Sequence, residues 1–178
     1  MAHSFLHSIC AILAKNKVIS KQEAFDLEKA FKESAHDHFD NFLLTENIVS
    51  RADLLTALSE YYEVPAFDVV GHIFNHNLVK EFPQEFLFNH AIIPLERDEN
   101  MLFMVINNPH NEAVLSELAE YVSDEVNFVV GIEQDIMDAI ENYYESSPFH
   151  TADQELDPQD ELYEDEKLLR DVLEDKED

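Results

Sequence analysis

The residues in this sequence that could do chemistry begin with its nine histidines, since a neutral imidazole is a common ligand for divalent transition metals. Two groupings have suggestive spacing. One is His36-Asp37-His38; the other is His72 with His76, which would share a helix face if the segment between them were helical. Neither amounts to a site. There is no H-E-x-x-H pattern, and the single cysteine, Cys10, cannot supply a cysteine-rich zinc set. Solvated or capping histidines explain both groupings, so no metal is assigned. Asp157-Pro158-Gln159-Asp160-Glu161 lacks the glycine and the oxygen ladder of an EF-hand and reads as solvated charge.

Nucleophilic and phosphoryl chemistry fare no better. Cys10 lies beside Ile9, Ile12 and Leu13 on an apolar helical face, where an inert buried thiol is expected. No Ser or Cys can be matched to a base, and carboxylate pairs are too plentiful in so acidic a chain to single one out. The only glycines are Gly71 and Gly131, so G-x-x-x-x-G-K-[ST] cannot form, and Lys80 follows no glycine-rich loop. The expectation is a chain with no catalytic residue and no cofactor. Phe74, Phe82, Phe86, Phe88 and Phe103 read as core. Tyr61-Tyr62 and Tyr143-Tyr144 are the candidate partner contacts, because aromatics with polar tips are enriched at interfaces.

Charge narrows the choice of partner. Eleven Lys and Arg stand against 39 Asp and Glu, a net −28, which repels phosphate backbones and anionic headgroups. Nucleic acid and direct membrane insertion are therefore disfavoured, and a protein partner with a basic surface is favoured. Residues 153–178 hold thirteen acids against Lys167, Arg170 and Lys176, which accounts for −10 of the total. One cysteine, no secretion-type leader and no apolar run long enough for a span place the chain in the cytoplasm by expectation, reaching the inner membrane only through a protein partner.

The elements that must position these residues fall into an α+β arrangement. Over residues 1–62, apolar residues recur at helical spacing in about four short helices, with Ser20 and Ser50 as caps. Laying Ser20 on Ser50 aligns Ile12-Leu13 with Phe42-Leu43, Val18-Ile19 with Ile48-Val49 and Phe31 with Tyr61 at a constant offset of 30 residues, so two helical hairpins form a repeat. Residues 63–146 change texture. Val64 to Val70 is a short apolar run, and an amphipathic stretch through Leu87 is interrupted at Pro83. A hairpin spans Ala91–Glu96 and Met101–Ile106; a helix (Glu112–Val122), a strand (Val126–Val130) and a helix (Glu133–Tyr144) complete a small α/β sandwich. Residues 147–178 read as a disordered acidic tail with one short helix.

With these segments in view, the chain resembles, over roughly residues 5 to 145, the N-terminal domain of GspE/PilB-type secretion and pilus assembly ATPases, the MshEN or type II secretion E type. The resemblance rests on Phe42 through Leu58, on Val64-Pro65, and on Ile93-Pro94-Leu95-Glu96 with Met104-Val105-Ile106-Asn107-Asn108-Pro109. The last two are similar to the family's "VLPL" strand and "DP" turn. The resemblance implies a module that docks a motor onto a cytoplasmic part of an inner-membrane platform, and an acidic linker at the position of the tail.

The family's helical part can bind cyclic di-GMP through two copies of R-L-G-x-x-L-(V/I)-x-x-G-(L/V)-(L/I) with a later Gln. Carried over by position, Arg corresponds to Ser8 and His38, the first Gly to Cys10 and Asp40, the second Gly to Lys17 and Asn47, and the Gln to Phe31 and Tyr61. The apolar frame persists while every ligand-facing position has changed. Asp40 would also set a carboxylate where phosphates approach, at a cost on the order of a kcal/mol. The expectation is a docking adaptor rather than a cyclic di-GMP sensor, the sensor with a remodelled site being the alternative.

Overall fold

The first four helices are α1 (Phe5–Lys15), α2 (Lys21–Glu33), α3 (Phe39–Thr45) and α4 (Arg51–Tyr62). They exist because caps and stops recur. Ser20 accepts from the backbone N–H of Glu23, while the Glu23 carboxylate accepts from that of Ser20, a complete capping box. Ser50 accepts from Asp53 N–H. At their other ends α1 and α3 close in the same way. Val18 N–H donates to Leu13 O at 3.0 Å and Lys17 N–H to Ala14 O at 3.2 Å; Ile48 donates to Leu43 at 2.9 Å and Asn47 to Leu44 at 3.0 Å. This is the Schellman pairing, and it requires a left-handed residue just past the cap. That residue is Lys17 (φ 61°) in the first hairpin and Asn47 (φ 53°) in the second. The repeat read from the sequence is thus a repeat of backbone hydrogen bonds, at the positions where the family pattern has its second glycine.

The later elements are α5 (His76–Val79), α6 (Gln84–His90), β1 (Ile92–Asp98), β2 (Met101–Ile106), α7 (Glu112–Leu118), β3 (Glu125–Val130) and α8 (Glu133–Glu145). Pro83 caps α6 as anticipated, since it supplies a fixed φ and needs no donor there. The sheet has the order β1-β2-β3, with β1 antiparallel and β3 parallel to β2. A bulge interrupts the register between Pro94 and Glu96, on an edge strand where proline is tolerated. The segment after α4 runs along the far edge of β3: Val130 N–H donates to Pro65 O at 2.8 Å and Phe67 N–H to Val130 O at 2.9 Å. Gly131 follows because a Cβ there would come 2.6 Å from Val105 Cγ1.

These coordinates form a computed structural model that describes residues 4–145. Within them the chain is α+β, eight helices and a three-stranded sheet. The helical core of Ile9, Leu13, Phe42, Leu43, Leu54 and Leu58 also takes in Val130 and Ile132 from the α/β part, so the hairpins and the sheet share buried surface. Arg51 at the start of α4 joins Asp135 in the first turn of α8 by two bonds of 2.8 Å. One compact unit comprises Met1–Asn142, and Tyr143 opens a second. The acidic segment 147–178 lies outside the described residues.

Of the five phenylalanines read as core, Phe82 and Phe86 are buried, while Phe74, Phe88 and Phe103 are half-buried. None of the described helices is long and apolar enough to cross a membrane.

Candidate ligand and docking surface

The eight positions that would read a nucleotide have divided into three groups. Cys10, Phe31 and Tyr61 have turned to packing. Cys10 is 1% exposed, and burial pushes its thiol up to about 12, with the charge of Glu28 adding to it. Phe31 sits 5.1 Å from the Phe39 ring and 5.5 Å from Phe42; Tyr61 meets Phe5 edge-on at 5.2 Å. Half-buried Ser8 lies within α1, while Lys17 and Asn47 are exposed at their left-handed turns.

His38 and Asp40 line a cleft of about 410 Å³ together with Phe31, Tyr62, Asn107 and Glu133. His38 is the N-cap residue of α3, and its side chain makes no capping bond. Its Nδ1 lies 3.1 Å from Glu133 Oε2, and the amide of Asn107 donates to the same oxygen at 2.9 Å. Burial raises the carboxyl of Asp40 above the usual aspartate range; the backbone N–H of Asn41 opposes this, and the charge of Glu133 pushes the same way as burial. Glu133 had no sequence signal beyond opening a helix, and Asn107 stood in the 104–109 turn motif with no ligand role attached to it.

The tyrosine expectation needs correcting. Tyr62 is not an exposed contact: it is 8% exposed in the helical core, edge-on to Tyr61 at 4.7 Å and to His110 at 5.3 Å. Burial pushes its hydroxyl up to about 12, aided by Tyr61, Asp40 and Glu133. An α4 residue one step from Tyr61 points inward because β3 and the 107–110 turn cover that face, which helical spacing within α4 does not report. Tyr61 itself is half-buried against Phe5. Tyr143 and Tyr144 are half-buried, with rings edge-on at 5.0 Å.

The histidine groupings dissolve. His72 and His76 share no helix, because α5 begins only at His76; His72 stands in a turn after Gly71 (φ 76°), stacked edge-on between Phe67 and Phe74. His36 turns to Glu46, 3.9 Å away, and to the Phe42 ring, whereas His38 faces Glu133.

Comparison with known proteins agrees with this architecture. A family model described as the MshEN domain matches residues 74–150. The type IV pilus assembly ATPase PilB of Myxococcus xanthus (strain DK1622) is 26% identical over 135 residues, 75% of this chain and 23% of PilB, so the chain spans about a quarter of that curated relative. A structure of MshE with cdg, cyclic di-GMP, has a TM-score of 0.60 at 17% identity, covering 76% of this chain and 98% of that one. The N-terminal domain of XpsE has a TM-score of 0.51 at 19% identity, covering 79% and 97%. At these identities the two structures establish the fold. Residues 74–150 thus match the MshEN domain model, in a chain that is similar to part of the pilus assembly ATPase PilB and has the fold of MshE and of the XpsE N-terminal domain.

Proposed function

We propose that this chain is a non-catalytic docking module of a type II secretion or type IV pilus apparatus, working in the cytoplasm and receiving a basic surface of a partner, either a platform component or the motor. The observation that carries the reading is the fate of the eight nucleotide positions. Three have become core or ring packing, and the cleft beside them presents the carboxylates of Asp40 and Glu133. An anionic ligand would meet like charge there, in a chain of net −28. A basic protein surface would meet its complement, which speeds encounter and sets specificity.

A cyclic di-GMP sensor is the second reading. It is favoured by the likeness to MshE with cdg and by the two left-handed turns kept at the glycine positions. The readings separate in one set of titrations on the full chain. Under docking, cyclic di-GMP gives no saturable heat at micromolar concentration. A purified cytoplasmic domain of the platform protein binds, and its affinity falls at least about tenfold between about 50 and 500 mM NaCl as screening grows. Saturable cyclic di-GMP binding that His38→Ala and Tyr61→Ala abolish would establish the sensor and overturn our ranking; partner affinity indifferent to salt would also count against docking.

A further inference from the structure

We infer that His38, Asp40 and Glu133 form a site for one divalent first-row transition-metal ion of the Zn²⁺ class, which ties the second hairpin to the start of α8. The inference draws on the same Asp40 and Glu133 carboxylates as the docking reading, but it does not require that reading and is tested without a protein partner. One imidazole nitrogen and one oxygen from each carboxylate all lie within 4.8 Å of one another. Ligands around a tetrahedral zinc, at ~2.1 Å from the ion, stand ~3.4 Å apart. The His38 Nδ1 to Glu133 Oε2 distance of 3.1 Å is already near that value, so small side-chain rotations complete the set.

Two further features set this group apart from the ordinary crowding of acids in an acidic chain. The ligands come from remote segments, the N-terminal edge of α3 and the first residue of α8, which the fold holds together through the core they share. The three side chains also line two separate clefts, the one described above and a second of about 290 Å³ reaching toward Gln134, Met137 and Glu141. An ion among them is reachable from either side and keeps positions for water. Asn107, donating to Glu133 at 2.9 Å, orients that carboxylate in the manner of an outer partner of a metal ligand. The nitrogen in the set selects against Mg²⁺ and Ca²⁺, which prefer oxygen alone. Two carboxylates balance the double positive charge, so the bound ion relieves a repulsion that the apo site must bear.

The test is isothermal titration of the full chain with Zn²⁺, paralleled by Co²⁺ as a visible-absorption probe, on the wild type and on His38→Ala, Asp40→Asn and Glu133→Gln. His38 makes no capping bond and Glu133→Gln is isosteric, so circular dichroism should show all three folded. We expect one saturable equivalent, weakened at least about tenfold in each variant, and Co²⁺ ligand-field bands that His38→Ala removes. Equal affinity in wild type and variants would assign the ion to other acids or histidines and overturn the site. So would Mg²⁺ or Ca²⁺ binding as tightly as Zn²⁺, or no binding below millimolar concentration.

Discussion

Replacing Arg51 by Met should destabilise the protein by about 2 kcal/mol, through a carboxylate 84 residues away. Arg51 Nε and Nη2 each donate to one oxygen of Asp135 at 2.8 Å, and Asp135 is the one buried charged residue among those described. Breaking a fully buried pair by removing one partner costs ~3–5 kcal/mol. Here the figure must be lowered on two counts. The Arg51 side chain is 42% exposed, so water can reach the bereft carboxylate. Asp135 also sits in the first turn of α8, where the helix N-terminus favours an anion by ~0.3–1 kcal/mol. About 2 kcal/mol remains. With a urea dependence of ~2 kcal/mol per molar, the unfolding midpoint should fall by about 1 M. The companion variant is Asp135→Leu: combined with Arg51→Met it should be less destabilised than the sum of the two singles, by about 1.5 kcal/mol of coupling. A midpoint shift for Arg51→Met below about 0.25 M, or a coupling within ~0.3 kcal/mol of zero, would refute the argument that this pair holds the hairpins to α8.

Lys17→Gly should stabilise the chain, because an L-residue in the left-handed region costs ~1–2 kcal/mol and glycine returns ~0.5–1 kcal/mol of that as unfolded-state entropy. The net gain of about 0.5–1 kcal/mol appears as a rise of a few degrees in Tm; no rise would mean that the Schellman turn is not strained. At alkaline pH the stability should fall. The Cys10 thiol moves from 9.0 to about 12 and the Tyr62 hydroxyl from 10.0 to about 12 in the folded chain. A raised folded value means that the unfolded chain loses its proton first. The contribution of both groups is therefore fully present below pH 9 and is lost between pH 9 and 12. Urea midpoints at stepped pH should be flat from this source up to pH 9 and decline above it, with the decline shallower in Cys10→Ala and in Tyr62→Phe.

The helical half was legible because its signals are local. Ser20 and Ser50 cap their own helices, and the apolar residues repeat at the same offset, so the neighbours that decide the structure are a few residues away. The Pro83 break and the 92–106 hairpin were legible on the same grounds. Lys17 and Asn47, which stand where the resembled motif has its second glycine, are the left-handed residues of two Schellman turns, each closed by backbone bonds within its own hairpin. Sequence by itself therefore determined most of the elements and the repeat of the two hairpins. Tertiary structure alone decided which side chains face one another: that Tyr62 is core, that His72 and His76 stand apart, that Arg51 meets Asp135, and that Glu133 completes a cluster with His38 and Asp40. The physical reason is range. Caps and turns are set by hydrogen bonds within one turn of backbone, whereas burial and ion pairing depend on which remote segment covers a face, and no spacing along the chain encodes that distance.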